Sequence, residues 1–496
     1  MAKSTQRSGG GSATRGGGPR VGSRRQGSSS LAGRDDQSKL AALVADRLIG
    51  DIAALGWPEG EIVGSEAELL ERCGVSRAVF REAVRLLEHL HVARMRRGPG
   101  GGLMVLAPTV DSATDAVAIY LCYVGAEIDE VLAARLALEE AAAELAARRL
   151  TETHLTQLRA LVAAEQAGTA RDLRALHNLV AQVTGNPALA FFVDLLNRMM
   201  QLYLPVSTRF SKETLEASHT AHAAIVDAIL QGDGGLARAR MRTHLRAEAA
   251  YLAGQRPSRH RLVELPVIAG RSPKRAEQTA AHIFRDVAAR DWPVGALLGS
   301  EAELMERYGV SRAVLREAVR LLEYHQVARM RRGPGGGLFV VEPGSEAITE
   351  AVALQVDRRG IRPRDLHEVR VAVEMAVLDL VLARAGAGDP VASRLQDVLD
   401  AERAASPEAF VVVGHDLHGV LASVSGNRVM ELLVGVLVRL QRFHGAVPRE
   451  RAGEPVPTDE VVEVHRRIVE AIVAGDLDLA RHRMRRHLDA LAHWVR

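Results

Sequence analysis

Residues 64–103 read GSEAELLERCGVSRAVFREAVRLLEHLHVARMRRGPGGGL, and residues 299–338 read GSEAELMERYGVSRAVLREAVRLLEYHQVARMRRGPGGGL. The two stretches are identical at 34 of 40 positions, at a constant offset of 235 residues. In a chain of 496 residues, this repeat indicates two copies of one structural unit rather than a single large domain. Similarity weakens downstream of each stretch, so each unit combines a nearly invariant module with a divergent one.

Each stretch predicts a module of helices and a hairpin. Ser65 and Glu68 form a capping box that starts one helix, Gly74 ends that helix, and Ser76 caps the next. Short apolar segments flank the glycine-rich GPGGG turn, a pattern typical of a β-hairpin. With an amphipathic helix predicted upstream at about Ser38–Leu55, the order is that of a winged helix-turn-helix.

The helix that follows Ser76 carries an arginine at every fourth position. Arg77, Arg81 and Arg85 share one face, and an arginine fork fits the O6 and N7 acceptors of guanine. A solvated helix face is the alternative interpretation, but the short turn, the arginine face and the basic hairpin occur in this order twice. The predicted DNA-contacting residues are Ser76, Arg77, Arg81, Arg85, Arg96, Arg97 and Gly100 in the first copy and Ser311, Arg312, Arg316, Arg320, Arg331, Arg332 and Gly335 in the second.

The remainder of each unit is rich in Ala and Leu with a 3.6-residue period, which predicts an all-helical bundle and a mostly α fold. Gly, Ser and Arg dominate the N-terminal tail, which favours disorder and either a solvated tail or non-specific phosphate contacts. The predicted divisions are a disordered basic tail at 1–37, winged-helix heads at 38–108 and 274–343, helical ligand-sensing domains at 111–252 and 345–496, and a linker at 253–273.

Composition restricts the class of protein. Lys and Arg exceed Asp and Glu by only 64 − 61 = 3, so net charge alone does not argue for nucleic acid binding. Two cysteines do not form a disulfide framework and favour a reducing compartment. Because the sequence shows neither a membrane-spanning apolar run nor a signal-peptide core, we expect a cytoplasmic, nucleoid-associated protein.

The pattern SEAEL…GVSRAVFREAVRLLE…RRGPGGGLMV resembles the winged-helix domain of GntR-type bacterial transcription regulators, specifically the FadR subfamily. The resemblance covers the whole head in both copies. It implies that Arg77 and Arg81, and Arg312 and Arg316, read the operator. A further arginine contact found in some members falls at Ala67 and Ala302 here, so we expect that contact to be absent.

Members of this subfamily carry an all-helical FCD domain, in which one Asp and three His often hold a divalent metal. The resemblance places the histidines at His177, His222 and His244 in the first unit and at His418, His465 and His487 in the second. Three imidazoles suit Zn, Ni or a similar metal. The family Asp is missing, because Leu173 and Gly414 occupy its positions, while Asp172 and Asp416 are out of helical phase. A water or an effector carboxylate then completes the site, or metal binding is weakened.

The resemblance also implies that Arg135 and Arg370 pair with a carboxylate on the effector, with a helix-surface role as the alternative. The predicted function is a sequence-specific transcription regulator that responds to a small organic acid, with repression as the commoner family behaviour and no organic cofactor. Because one chain carries two heads, we expect a covalent pseudo-dimer, in which the two halves read two similar half-sites of one operator, with or without further homodimerisation. The alternatives are a non-specific architectural DNA-binding protein and, lacking any supporting catalytic motif, a metal-dependent enzyme.

Overall fold

The computed structural model describes residues 29–98, 100–107, 109–169, 172, 174–203, 211–254, 274–385, 391–405, 416–452 and 458–493. The chain forms two compact units, Met1–Leu106 and Ala107–Arg496. The first contains the first head, and the second contains the first sensing domain, the second head and the second sensing domain. Within the described residues, no helix is long and apolar enough to cross a membrane.

The first head has the element order that its capping and turn residues predict. Its elements are α1 (Ser29–Ala54), α2 (Glu66–Cys73), α3 (Arg77–His89), β1 (Ala93–Arg96) and β2 (Gly102–Val105). Both halves of the Ser65–Glu68 capping box are formed, and Gly74 ends α2 in the left-handed conformation at φ 64°. Helix α1 begins at Ser29 rather than Ser38, so the last part of the segment predicted to be disordered lies in a helix.

The recognition helix α3 is anchored by an apolar inner face. The side chain of Ser76 accepts a hydrogen bond from the Val79 backbone N–H, which fixes the start of the helix. Phe80 and Leu87 are fully buried beneath α3, and they leave its arginine face outward. Strands β1 and β2 pair antiparallel to form the wing.

The first sensing domain is all-helical, as predicted. Its elements are α4 (Asp111–Tyr123), α5 (Ile128–Arg149), α6 (Glu152–Gln166), α7 (Ala175–Val183), α8 (Pro187–Tyr203), α9 (Lys212–Leu230) and α10 (Gly234–Gly254). Helix α5 is central and contacts α7, α8, α9 and α10. Small buried residues such as Ala134, Ala142 and Ala146 let these helices approach closely.

The second head repeats the first with one added strand. Its elements are α11 (Arg275–Ala288), β3 (Leu297–Gly299), α12 (Glu301–Tyr308), α13 (Arg312–Tyr324), β4 (Ala328–Arg331) and β5 (Gly337–Val340). Strand β3 pairs with β5 and gives a three-stranded sheet in the order β3-β5-β4. The hairpin pattern did not predict β3, because this strand is only three residues long. In the first head the same region makes a single bridge from Ile62 to Met104.

The second sensing domain repeats the helical bundle. Its elements are α14 (Ser345–Arg358), α15 (Pro363–Ala385), α16 (Val391–Ala404), α17 (Asp416–Val424), α18 (Arg428–Ala452), α19 (Thr458–Val473) and α20 (Leu477–His493). Helix α15 occupies the place of α5, and it also packs against α5 and α8 of the first sensing domain. The two sensing domains therefore share an extensive contact within one chain.

Reciprocal hydrogen bonds cross this contact. The Asn186 side-chain amide donates to the Asp365 carbonyl at 2.9 Å, and the Asn427 side-chain amide donates to the Glu130 carbonyl at 3.1 Å. Glu130 and Asp365 occupy equivalent positions at the repeat offset, as do the two Gly-Asn pairs at their own offset. The sensing domains are thus related by approximate two-fold symmetry.

The ion pairs at the same contact do not repeat. Arg149 pairs with Glu368 at 2.7 Å, whereas the position equivalent to Glu368 is Ala133. Arg428 pairs with Glu130 at 2.9 Å, whereas Pro187 occupies the position equivalent to Arg428. The contact is symmetric in its backbone recognition and asymmetric in its charges.

Candidate DNA-reading surfaces and metal centres

The predicted reading residues of both heads lie at the surface. The arginines of α3 and α13 are exposed, as are those of the two wings. In the second head, Arg316 Nε donates to Glu301 Oε1 at 2.9 Å, and in the first, Arg81 lies 3.6 Å from Glu66. Glu66 and Glu301 are the first residues of the helix that precedes each recognition helix, and each lies beside the central arginine of its reading face. The sequence patterns did not predict these contacts. Exposed pairs of this kind contribute little stability and separate readily when a phosphate or base competes.

Each wing is fixed to its recognition helix by a glutamate. Glu88 accepts a hydrogen bond from the Met95 backbone N–H at 3.2 Å, and Glu323 accepts one from Met330 at 2.9 Å. The wing tip needs glycine, since a Cβ at Gly101 would lie 2.3 Å from the Arg96 carbonyl oxygen. In each head a hydrogen bond thus joins the recognition helix to the first strand of the wing.

Wing arginines make local contacts that order the tip. Arg96 donates to the Gly100 carbonyl at 3.0 Å, and the Arg331 guanidinium lies 4.4 Å from the centroid of the Phe339 ring. Gly100 and Gly335 both adopt positive φ, at 68° and 74°. A side chain at either position would be strained, which explains why the tip is built from glycine.

The three predicted histidines of the first sensing domain converge in its core. His177 on α7, His222 on α9 and His244 on α10 are all buried and form one potential metal-binding group. The Nε2 atoms of His222 and His244 are 3.2 Å apart, and those of His244 and His177 are 3.4 Å apart. His219, one turn before His222, is half-buried and outside this group.

The second sensing domain builds the same group from its own helices. His418 on α17, His465 on α19 and His487 on α20 are buried and converge. The Nε2 atom of His487 is 3.2 Å from those of both His465 and His418. The sequence positions of both triads therefore correspond to real clusters, although the loops that separate the histidines differ in length.

Buried glutamates orient two histidines of each triad from behind. Glu139 contacts Nδ1 of His177, and Glu165 contacts Nδ1 of His222 at 2.9 Å. In the second domain Glu374 contacts Nδ1 of His418, and Glu402 contacts Nδ1 of His465 at 2.8 Å. Sequence reasoning missed these four residues. The Arg-x-x-x-Glu spacing on α5 and α15 was the available signal for two of them.

These carboxylates determine where the imidazole protons lie. A carboxylate at Nδ1 accepts a hydrogen bond from the N–H of that nitrogen, so the Nε2 atoms of the two supported histidines present lone pairs to the centre. The third histidine can donate its single N–H to only one of these two lone pairs. At least one Nε2 lone pair therefore has no hydrogen-bond donor within the triad, and a bound cation would stabilise this arrangement. Carboxylate–histidine pairs of this kind are the usual support for metal-ligating imidazoles.

The spacing of the nitrogens also fits a metal. Tetrahedral Zn–N bonds of about 2.0–2.1 Å place ligand nitrogens about 3.3–3.4 Å apart. The measured Nε2 separations of 3.2 and 3.4 Å in the first domain match this geometry closely. The residues present thus suit a three-histidine site with an open coordination position.

Burial keeps several of these histidines neutral, which ligation requires. Burial lowers the pKa of His222 despite its bond to Glu165, and burial with the neighbouring histidines lowers the pKa of His244 to about 3. In the second domain, burial lowers the pKa of His418 and, with the other two imidazoles, holds that of His487 well below its ordinary value.

The predicted effector arginines lie directly behind the triads. Arg135 is buried and donates to Glu139 at 2.8 Å and to Glu248 at 3.0 Å. Burial opposes ionisation of Glu139, but Arg135 and His177 outweigh it and lower the pKa of Glu139 to about 2. Arg370 is likewise buried and pairs with Glu374. Both arginines therefore support the outer carboxylates, and their predicted contact with an effector stays a prediction.

No protein carboxylate joins either potential metal-binding group in the described residues. Asp172 is exposed and pairs with Arg174 at 3.0 Å, so it does not replace the missing family Asp. Leu173 and Gly414 lie outside the described residues, as does the side chain of Asp416.

Two heads of winged helix-turn-helix type, each followed by an all-helical domain with a buried histidine triad, are the architecture of a bacterial transcription regulator. The family description "FCD domain" matches residues 130–247 and 365–490, and "Bacterial regulatory proteins, gntR family" matches residues 275–340. The chain belongs to the GntR family of transcription regulators and carries two FCD domains, which confirms the family and the fold class predicted from the sequence.

Individual relatives correspond to one half of the chain each. The HTH-type transcriptional regulator YieP of Escherichia coli is 30% identical over 213 residues, which cover 40% of this chain and 90% of that protein. YcbG of Bacillus subtilis is 27% identical over 215 residues, 43% of this chain and 86% of that protein. The HTH-type transcriptional repressor NanR of Citrobacter rodentium is 28% identical over 240 residues, 45% of this chain and 90% of that protein.

Proposed function

We propose that this chain is an operator-specific regulator that acts as a covalent pseudo-dimer, with its two heads reading two similar half-sites. The reciprocal Asn186 and Asn427 contacts carry the proposal, because they pair the sensing domains of one chain as two subunits of a dimer would pair. The near-identity of the heads supports half-sites of nearly the same sequence. The linker supplies the second head at high effective concentration once the first is bound.

Reading is assigned to the exposed faces of α3 and α13. Arg77 and Arg81 in the first head, and Arg312 and Arg316 in the second, meet base edges in the major groove, each good guanine contact contributing about 1–3 kcal/mol of discrimination. Ser76, Arg85, Arg96, Arg97 and Gly100, and their counterparts Ser311, Arg320, Arg331, Arg332 and Gly335, contact phosphates and fix the register. Release of Arg81 from Glu66, and of Arg316 from Glu301, accompanies binding.

His177, His222 and His244, and His418, His465 and His487, would hold a divalent ion such as Zn or Ni in one or both domains, and the ion would supply a Lewis-acidic site for the carboxylate of a small organic acid. The outer glutamates fix the imidazole tautomers, and Arg135 and Arg370 hold Glu139 and Glu374 ionised. NanR is named as a repressor, and by this similarity we assign repression that the effector relieves.

Light scattering on the full chain, alone and on DNA selected from a random pool, tests the pseudo-dimer. The expected result is one chain on one site with two similar half-sites in inverted repeat. Two chains on four half-sites, or on two separated operators, contradict it. DNA selection that yields no shared sequence identifies a non-specific architectural protein instead.

A further inference from the structure

A cavity whose lining includes no triad histidine lies where the first sensing domain meets the end of α14. Its volume is about 660 Å³, within the range of small-molecule sites. The first sensing domain lines it with Asn178, Gln182, Asn186, Phe191 and Arg198, while Arg359 at the end of α14 closes it from the second half. The wall therefore combines one aromatic ring, several amides and two guanidinium groups.

One of the two arginines in this wall is already paired. Arg198 pairs with Asp194 at 3.1 Å and with Asp111 at 2.9 Å. Asp194 also accepts from the Asn178 amide at 3.1 Å, so its two oxygens are both engaged. Both aspartates are thus used by Arg198, and neither forms an ion pair with Arg359 in the part of the chain that the structure describes.

Arg359 packs against an aromatic ring, and the carboxylate that acts on it, Asp194, is bonded to other groups. Its guanidinium lies 5.4 Å from the centroid of the Phe191 ring, and its buried Nε has no hydrogen-bond partner among the described residues. Burial lowers the pKa of Arg359, with Arg198 adding to the effect and Asp194 opposing it. A buried donor without a partner is costly, and an anion in the cavity removes that cost.

The second half of the repeat lacks this wall. The positions equivalent to Arg359, Asn178 and Asp194 are Val124, Gly419 and Gly435. Polar residues thus occur on one side of this interface at positions where the other side has a valine and two glycines. Position 124 also shows that valine is compatible with this helix end, since Val124 and Arg359 cap their helices with similar backbone angles, φ −74° and −94°.

We propose that this cavity is a second small-molecule site, which binds the carboxylate or phosphate group of an anionic metabolite through Arg359. The amides of Asn178 and Gln182 face the polar part of the ligand, and Phe191 and Ala190 face its apolar part. The bound ligand bridges the first sensing domain to the end of α14. This site depends neither on metal in the triads nor on the DNA-binding proposal.

Calorimetric titration of the full-length chain, stripped of metal and free of DNA, tests the proposal with two probes, succinate and inorganic phosphate. Stripping the metal removes carboxylate binding at the triads from the measurement. Saturable binding of either probe is expected, and the better one identifies a carboxylate or a phosphate ligand. Arg359→Val should weaken it at least about tenfold, the loss expected for one charged hydrogen bond.

Arg159→Ala, an exposed arginine on α6 outside the cavity, is the matched control and should bind as the wild type does. Arg359→Lys should retain part of the affinity. If neither probe binds, or if Arg359→Val binds as tightly as the wild type, the site does not exist. Thermal unfolding of Arg359→Val, which places the natural residue of the other half at this position, verifies that the fold is intact.

Discussion

The two heads are nearly identical in sequence, whereas the two sensing domains share their helical fold and their histidine triads but differ at most other positions. In both sensing domains three imidazoles converge, and buried glutamates contact two of the three. They differ one layer further out, where Arg135 bonds to Glu248 while Leu491 occupies the equivalent position in the second domain. The comparison shows that the two halves retain the histidine triads, their supporting glutamates and the reciprocal asparagine contacts, while other positions of the sensing domains differ.

Removing one ligand from either triad should produce the largest effect. His222→Ala or His465→Ala leaves two imidazoles, which is too few to retain a divalent ion, and each variant should lose one of two metals per chain. Metal analysis of protein loaded with Zn and then desalted measures this. His482→Ala on the exposed face of α20 is the control. Retention of two metals in either variant would remove that triad from the metal assignment.

Replacing the central reading arginine tests whether the heads are equivalent. Arg81→Ala and Arg316→Ala should each weaken operator binding by about 1–3 kcal/mol, roughly 5- to 150-fold, and to similar extents. Binding titrations on the selected operator at fixed salt measure both, with Arg159→Ala as a control. Strongly unequal losses would show that the two half-sites are read differently, and unchanged affinity in both would invalidate the recognition-helix assignment.

The outer carboxylates should matter less than the ligands they orient. Glu165→Gln and Glu402→Gln keep the shape of the side chain but weaken the acceptor for the imidazole proton, so each should lower metal affinity by about 10- to 100-fold. Competition with a chromogenic chelator measures the loss domain by domain, using the single-histidine variants as backgrounds. A loss of metal affinity in only one domain would show that the outer glutamate supports metal binding in that domain and not in the other.

The smallest effect is expected where the domains already differ. Glu248→Leu gives the first domain the residue of the second and removes one charged hydrogen bond from Arg135. Because the Glu248 side chain is 25% exposed, a loss of about 1 kcal/mol in the free energy of unfolding is expected. Denaturant unfolding measures it, with Arg159→Ala as reference. A larger loss would mean that Glu248 supports the triad itself.

Local signals predicted much of this molecule. Capping boxes, the left-handed Gly74 and the arginine period determine the heads through contacts within a few residues, so sequence alone located their elements. The family pattern located all six histidines, because each lies in a short recognisable segment. These features need no knowledge of distant parts of the chain.

Features that depend on distant contacts escaped prediction. Glu165 and Glu402 each meet a histidine about sixty residues away on another helix, and nothing around them in the sequence marks that contact. Strand β3 forms only because β5 offers an edge. The cavity at Arg359 combines residues from both halves. Such features arise from tertiary packing, which the hydrophobic periodicity of the sequence does not predict.

The single-sided ion pairs between the sensing domains have a consequence for assembly. In a true homodimer each such pair would occur twice, because the two-fold axis repeats every contact. Here Arg149 of the first half pairs with Glu368 of the second half. In a homodimer of first halves, Ala133 would occupy the position of Glu368, and the ion pair would be lost. The second half carries Arg384, Glu368, Asp365 and Arg428, whereas the first half has Ala133 and Pro187 at two of the equivalent positions. Expressed as a separate polypeptide, the first half would therefore prefer the second half over a copy of itself.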